Sequence, residues 1–281
     1  MKAIIKSLKR THWFKALMAL FVCLSFLILP SCQKVEIDQD PMLDIDVMSS
    51  SALAKKGRPT VGKIRDVDGN WYKTVKIGTQ WWMAENLKTT RYYDGSGISY
   101  PGDDMTAWIN NTTGAYAWYN NEEATYKNPY GALYNWYAVN TDKLCPRGWR
   151  VPTEADFAIL ITYCGGQFKA GTKLKATGTI EEEDGLWYLW VDQAYVAATN
   201  ESGFSALPGG FHYVTLNGSY GYGGIGFWGQ WWTASEYYDN VNNYEAGVYL
   251  ILSYGAEDAN LQGYLKPNGY SVRCLKDQCA P

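Results

Sequence analysis

The chain has 281 residues, a formal net charge of −3 and an aromatic content of 16 %, most of it Trp and Tyr. An acidic chain of this kind, with no basic run in its mature part, lacks the electrostatic footprint of a nucleic-acid-binding protein. Only one of its two histidines, His212, lies beyond the N-terminal region, so a histidine-rich metal site and a Ser-His-Asp or Cys-His catalytic arrangement are nearly excluded unless His212 takes part.

Residues 1–31 are predicted to be a secretory signal of the lipoprotein type. The 14-residue apolar run Ala16–Leu29 is shorter than the roughly 20 residues that a membrane-spanning helix needs, which favours a cleaved signal. A small residue precedes Cys32 and a leucine stands three positions before it, as in lipoprotein signals, although Pro30 departs from the pattern. We therefore expect Cys32 to carry the lipid that anchors the protein to a membrane. The alternative is an ordinary signal peptide followed by a chance cysteine.

A flexible tether is predicted over residues 32–61, because this stretch lacks apolar periodicity and contains clusters of serine, lysine, glycine and proline. Glu36, Asp38 and Asp40 resemble the surface-export signal of Bacteroidetes-type lipoproteins, or are simply part of a solvated linker. We expect an outer-membrane lipoprotein at the cell surface, with the periplasmic face as the alternative. The signal holds five of the 25 basic residues and none of the 28 acidic ones, so its removal leaves 20 basic residues and a net charge of −8.

The folded domain is predicted over residues 62–281 and opens with a β-hairpin. Two alternating runs flank Asp68-Gly69, a pair typical of type I′ turns, which need positive φ at both central residues. Asp66, Asp68 and Asn70 have the spacing of a calcium loop, but the glutamate that closes an EF-hand is missing. We therefore predict no metal site and no cofactor.

Long loops are predicted between residues 92 and 128, with a short strand around 115–119. The apolar run 131–139 is compatible with a short helix or a buried strand, since periodicity alone does not separate the two. Further strands are predicted around 246–252 and 269–276. The acidic run 181–184 is expected to be a solvated loop, because consecutive like charges repel.

One helix is strongly marked, over about residues 153–164. Thr153 is a good N-cap, and Asp156 forms an imperfect capping box with it, because Glu or Gln is preferred at that position. Pro152 keeps the preceding residue extended, and two glycines at 165–166 end the helix. The apolar face of the helix consists of Phe157, Leu160, Ile161 and Cys164.

Four cysteines follow Cys32, and an exported chain with four thiols is expected to form disulfides, for which three connectivities are open. We favour Cys145 with Cys274, which would tie the segment before the helix to the final strand. Cys164 with Cys279 is then the remaining pair, unless Cys164 is a small buried hydrophobic residue.

Several motifs, in order along residues 62–277, resemble the Fibrobacter succinogenes major paralogous domain family. These motifs are Asp66–Asn70, Thr74–Leu87, Gly131–Val139, Cys145–Phe157, Thr199–Gly210, Trp231–Glu236 and Ser271–Asp277. The resemblance implies an exported or lipid-anchored protein. It also implies an α+β domain of the C-type lectin-like fold, with short twisted antiparallel sheets and long loops. Arg150–Phe157 looks like a segment of the formylglycine-generating enzyme domain, which shares that fold.

The chemistry of these relatives does not follow from the resemblance. The Glu-Pro-Asn, Gln-Pro-Asp and Trp-Asn-Asp motifs with which sugar-binding C-type lectins hold calcium do not occur in this sequence. No pair of cysteines before Cys274 matches the active-site pair of formylglycine-generating enzymes. Because fold alone does not imply function, we expect a protein that is not an enzyme.

The expected function is ligand binding by a membrane-anchored domain, with a glycan or a surface protein as the partner. Trp228, Trp231 and Trp232 are the candidate contact residues, with Glu236 as a polar neighbour, because Trp combines an apolar ring with a polar group. For each tryptophan the alternative is a place in the core. The competing functions are a structural or adhesion component of a surface assembly and, less favoured, a glycan hydrolase that uses Asp and Glu.

Overall fold

The computed structural model describes residues 60–189 and 197–277. The predicted signal peptide, almost all of the predicted tether, Cys32 and Cys279 lie outside the described residues. Within the described part, every helix is too short or too polar to cross a membrane.

The described chain consists mostly of β-strands with a few helices, which agrees with the α+β class. The strands are β1 Val61–Arg65, β2 Trp71–Ile77, β3 Gln80–Met83, β4 Tyr116–Ala117, β5 Leu133–Tyr134, β6 Trp149–Arg150, β7 Gly209–Val214, β8 Tyr220–Ile225, β9 Trp228–Asp239, β10 Tyr244–Ser253, β11 Asn260–Leu265 and β12 Leu275–Lys276. The helices are α1 Met105–Ile109, α2 Glu123–Tyr130, α3 Trp136–Val139, α4 Glu154–Tyr163 and α5 Gln167–Leu174, with a 3-10 turn at Tyr119–Asn121.

The strands form two larger sheets and one small one. The first sheet has the order β1-β2-β3-β12-β6, the second β11-β10-β9-β7-β8, and β4 pairs with β5. These strand pairs are antiparallel, as predicted, except that β7 and β9 run parallel where Gly210 lies opposite Gly229. The last strand, β12, lies beside β3, so the end of the domain closes against its beginning.

The predicted N-terminal hairpin is present, but its turn type differs. Gly69 N–H donates to the carbonyl of Asp66 at 3.2 Å, and Asp66 N–H donates to that of Asn70 at 3.0 Å. In this turn only Gly69 has positive φ, at 90°. This is a type I turn closed by a glycine bulge rather than a type I′ turn. The Asp66 carboxylate accepts from the Asn70 backbone at 2.8 Å and from the Tyr72 hydroxyl at 2.6 Å, so it stabilises the hairpin.

The predicted helix is confirmed as α4. Thr153 caps it, and the Asp156 carboxylate accepts from the Thr153 backbone at 2.8 Å, so aspartate closes the capping box. Arg150 lies 2.6 Å from the same carboxylate. Partial burial opposes the charged form, but hydrogen bonds from Arg150 and Thr153 outweigh it and lower the pKa of Asp156. All four residues of the predicted apolar face are buried: Phe157, Leu160, Ile161 and Cys164.

In two other segments, hydrophobic periodicity was not sufficient to predict the secondary structure. The run 131–139 contains both predicted alternatives, because β5 ends at Tyr134 and α3 begins two residues later. Asn135 causes the change, since its side chain caps α3 by accepting from the Ala138 backbone at 3.1 Å. A helix that the sequence did not mark, α5, follows the two glycines after α4.

The favoured disulfide, Cys145 with Cys274, is present. It joins the segment before α4 to the chain entering β12, as predicted. Cys164 is a free, buried thiol, which contradicts the predicted pair with Cys279. Burial raises the pKa of this thiol to about 11, so it behaves as a small hydrophobic residue in the core.

The core lies on both sides of the central strands. On β9, Trp231 packs with one cluster, which includes Phe157 of α4, and Trp232 packs with the other, which includes Tyr134 and Tyr270. Successive side chains on a strand point to opposite faces, so neighbouring tryptophans reach opposite clusters. The second sheet is therefore covered on both faces along the middle of β9.

Candidate ligand-binding surface

Two of the three predicted contact tryptophans are core residues. Trp231 and Trp232 are both 0 % exposed. Their polar groups are also used internally, because Trp231 Nε1 donates to Asn86 Oδ1 at 2.9 Å and Trp232 Nε1 donates to the Tyr134 carbonyl at 2.8 Å. Neither ring nor N–H is open to a ligand, so the prediction that they form a contact surface is wrong.

Glu236 lies on the surface but not beside Trp228. Glu236 lies eight positions after Trp228 along β9, and an extended strand rises about 3.3 Å per residue. The Glu236 carboxylate pairs with Lys266 Nζ at 2.5 Å, and Lys266 also contacts Glu245 at 2.5 Å. Glu236 thus belongs to a small charge cluster at the other end of the strand, and its predicted role as a neighbour of the tryptophans is corrected.

Trp228 is the predicted contact tryptophan that is accessible to solvent, with 39 % of its surface exposed. Its ring centroid lies 5.8 Å from that of Phe211 and 6.5 Å from that of Phe227, which is itself 37 % exposed. The rings continue in both directions, through Phe211 to Tyr213 and through Phe227 to Tyr188 and Tyr254. Phe211 also contacts the buried Tyr270, with ring centroids 6.5 Å apart. We call this row the aromatic face, and its members are Tyr188, Phe211, Tyr213, Phe227, Trp228 and Tyr254.

The contacts within the aromatic face are close. Tyr188 stacks on Phe227 with centroids 4.4 Å apart, and Tyr254 meets the same ring edge-on at 5.0 Å. Phe211 meets Tyr213 at 6.1 Å. Aromatic pairs at such distances hold each other in place, by about 0.5–1.5 kcal/mol each beyond the area they bury. The row is therefore a preorganised surface.

Glycines of β8 make room for these rings. Phe211 lies opposite Gly223, and Tyr213 lies opposite Gly221, in the β7–β8 hairpin. Gly224, with φ of 73°, is the most restricted position: a Cβ there would lie 2.6 Å from the Phe211 ring and 2.7 Å from the Trp228 ring. Gly221, Gly223 and Gly224, within the glycine-rich stretch that the sequence showed around 218–229, thus leave room for the rings of Tyr213, Phe211 and Trp228.

The sequence contained a signal for part of this surface. Phe211, His212 and Tyr213 alternate in the manner of a strand, which places the two aromatic rings on one face and the histidine on the other. Tyr188 and Tyr254 carried no such signal, because they come from separate loops that only the tertiary structure brings beside Phe227.

The aromatic face offers broad apolar rings with phenolic hydroxyls at the positions of its three tyrosines. A contiguous exposed apolar patch on a folded domain marks an interaction surface more often than an isolated exposed residue does. Within the described ranges, no group of three or more His, Cys, Asp or Glu side chains is placed to hold a metal ion. The rings and hydroxyl groups of the aromatic face suit it to stacking and hydrogen bonding.

The described domain is a mostly β chain of the α+β class, built from two five-stranded sheets with helices beside them. The family model described as the Fibrobacter succinogenes major domain matches residues 75–276, from β2 to β12. The chain therefore belongs to this family, which confirms the resemblance seen in its motifs. Comparisons with curated proteins and with solved structures found no match.

Proposed function

We propose that this protein is a membrane-anchored, exported lipoprotein that binds a glycan on its aromatic face and has no enzymatic activity. The observation that carries the proposal is the exposed pair Trp228 and Phe227, with half-buried aromatic rings beside them. A pyranose ring has an apolar face that stacks on an aromatic ring and a rim of hydroxyl groups that bond to polar groups such as phenols. A row of rings suits a chain of sugar units better than a single one.

The C-type lectin-like fold is the structural part of this proposal. It is supported by the segment Arg150–Phe157, which runs from the end of β6 into the start of α4, and by the pairing of β12 with β3. The anchoring part is supported by the sequence around Cys32, with the outer membrane as its expected location.

The test of glycan binding is retention of the full chain, solubilised in detergent, on a panel of immobilised polysaccharides. We expect binding to at least one polysaccharide, weakened about tenfold or more by Trp228→Ala and by Phe227→Ala, because buried aromatic anchors dominate binding energy. Trp71→Ala is the matched control, since Trp71 is 53 % exposed on β2, away from the aromatic face. If Trp228→Ala and Phe227→Ala both leave polysaccharide binding unchanged, the aromatic face is excluded as the glycan-binding surface.

The anchor is tested separately. In a bacterial host that processes lipoproteins, Cys32→Ser should release the protein from the membrane fraction and remove the acyl chains from its N-terminal peptide, as seen by mass spectrometry. Added protease acting on intact cells then separates the cell-surface location from the periplasmic one. A Cys32→Ser protein that remains in the membrane fraction contradicts the lipid anchor.

A further inference from the structure

The first hairpin of the domain has an exposed basic face that carries one tryptophan. Successive side chains on a strand alternate between the two faces of a sheet, and in the pairing of β1 with β2 Lys63 lies opposite Lys73 and Arg65 opposite Trp71. We call this surface the hairpin face, and its members are Val61, Lys63, Arg65, Trp71 and Lys73. All of them are exposed, Trp71 by 53 % and Val61 by 71 %. The hairpin face shares no residue with the aromatic face.

Two cations of the hairpin face lie against the tryptophan ring. Lys63 Nζ is 4.6 Å from the centroid of the Trp71 ring, and Arg65 Cζ is 5.9 Å from it. A cation at such a distance is attracted by the ring, which keeps both side chains beside it. Lys73 lies on the same face, two residues after Trp71. The hairpin face therefore presents three positive charges around one exposed apolar ring.

The acidic residues near the hairpin face are engaged within the domain. Asp66 is buried and accepts from the Tyr72 hydroxyl, and the Asp68 carboxylate pairs with Arg91 Nε at 2.5 Å. Glu85 accepts from the backbone N–H of Lys73 at 3.0 Å and offsets part of the local positive charge. These contacts leave the cations of the hairpin face as its dominant charges.

The charge of this region differs in sign from that of the mature protein. Residues 60–91 hold six basic and three acidic residues, a net charge of +3, whereas the mature chain has a net charge of −8. The region is also the part of the domain closest in sequence to Cys32, because only residues 33–59 lie between that cysteine and the described chain. Fully extended, these residues would span about 90 Å, so an anchored domain stays within that distance of the membrane.

The combination of cations with an exposed tryptophan selects among anionic partners. Anionic lipid headgroups attract lysine and arginine, and tryptophan is favoured at the level of the headgroups, where its ring leaves water and its N–H remains in a polar layer. A soluble polyanion would satisfy the cations but would leave the exposed Trp71 and Val61 in water. The hairpin face therefore fits a lipid surface better than a soluble polyanion.

We propose that the hairpin face docks on the anionic headgroups of the membrane that holds the protein, with Lys63, Arg65 and Lys73 at the phosphate groups and Trp71 at the headgroup level. The docking rests on the proposed lipid anchor but not on the proposed glycan binding. A weak contact is sufficient, because a tethered domain is present at a high effective concentration near the membrane.

The experiment measures how far the membrane protects individual lysines. The full lipidated chain is inserted into vesicles of phosphatidylcholine, or of phosphatidylcholine and phosphatidylglycerol in equal parts, and is treated with an amine reagent that does not cross membranes. Mass spectrometry gives the labelling rate of each lysine. We expect Lys63 and Lys73 to react several-fold more slowly on the anionic vesicles only, and raised salt should abolish the difference. Lys169, exposed on α5, is the internal reference.

A pair of charge reversals gives the matched control. Lys63→Glu should lower the ratio of docked to free domains about fivefold or more, as read from the labelling of Lys73. Lys76→Glu makes the same change on the same hairpin, at an exposed position on the opposite face of β2, and should leave the protection of Lys73 in place. Trp71→Ala should weaken the protection without changing retention on polysaccharides.

The outcomes separate this docking from the proposed function. Equal labelling of Lys63 and Lys73 on both kinds of vesicle overturns the docking and leaves the anchor and the glycan binding standing. Protection that Lys63→Glu retains or that Lys76→Glu abolishes also overturns it, as does equal protection by soluble dextran sulfate on phosphatidylcholine vesicles. A chain without acyl groups on Cys32 contradicts the anchor, whereas its labelling with added vesicles still decides for or against the hairpin face.

Discussion

Strand β9 carries tryptophans in two opposite environments. Trp228, at its beginning, is 39 % exposed, whereas Trp231 and Trp232, three and four residues later, are 0 % exposed. The side chains are chemically identical and the strand is continuous. The difference comes from what covers the sheet, because both faces are packed at the middle of β9, whereas at its beginning the ring lies beside Phe211 and Phe227 on an open side. A tryptophan in a strand therefore indicates a function only once its neighbours are known.

The largest effect should come from truncating the buried ring. Trp232→Ala removes a ring packed against Tyr249 and Tyr270 and leaves a cavity, which should lower the free energy of unfolding by about 3–5 kcal/mol. Trp228→Ala should lower it by less than about 1 kcal/mol, since surface substitutions have small effects. Guanidinium unfolding of both variants measures this. Equal losses of unfolding free energy in the two variants would contradict the difference in environment between Trp228 and Trp232.

The disulfide tests the same side of β9, because Cys145 and Cys274 belong to the cluster that contains Trp232. The bond closes a loop with a sequence separation of 129 residues. Replacing both cysteines with serine should cost about 2–5 kcal/mol, mainly because the unfolded chain gains freedom. Cys164→Ala, which removes a free thiol, is the control and should cost clearly less. A double serine variant as stable as the parent contradicts this expectation.

His212 extends the comparison to a buried polar group. Its pKa is lowered from 6.5 to about 4 in the folded state, so between these pH values the unfolded chain binds the proton more tightly. The stability due to neutral His212 is complete above pH 6.5 and should fall by about 3 kcal/mol as the pH drops to 4. Unfolding measured from pH 7 to pH 4 should be less pH-dependent in His212→Gln than in the parent. Identical slopes would show that His212 titrates normally.

The smallest effect is expected at Glu236, near the exposed end of β9. Glu236→Gln removes one of two carboxylates that contact Lys266 Nζ, and Glu245 remains in place at 2.5 Å. Half-exposed ion pairs contribute little, so the loss should stay below about 1 kcal/mol and polysaccharide binding should not change. Unfolding and retention measured on the same variant check both statements. Weaker retention of Glu236→Gln on the polysaccharide would show that Glu236 belongs to the binding surface.

Local features were predictable from the sequence. The cap at Thr153, the apolar spacing of Phe157 and Leu160, and the glycine at position 69 are signals that act within a few residues, and each corresponds to an observed element. Three connectivities of the four cysteines were open, and the Cys145–Cys274 disulfide was favoured because it would tie the segment before the helix to the final strand. The family was recognised from ordered motifs and is confirmed over residues 75–276.

Features that depend on distant contacts were not predictable. The buried indole N–H of Trp231 is satisfied by Asn86, 145 positions earlier in the chain, whose Oδ1 accepts it. Arg273, also fully buried, donates to the same Asn86 oxygen at 2.8 Å, and nothing in its local sequence marks a core arginine. Such pairs satisfy buried polar groups across the fold, and a single sequence contains no signal for them.

The sequence alone determined the secondary-structure signals, the cysteine pairing to within three choices and the family, because these depend on spacing along the chain. Only the tertiary structure decided which aromatic residues face solvent. Alternation on β7 separates Phe211 and Tyr213 from His212, but it does not say which side stays open. That depends on the packing of helices and loops against each face of the sheet, and this packing placed Trp231 and Trp232 in the core and Trp228 on the aromatic face.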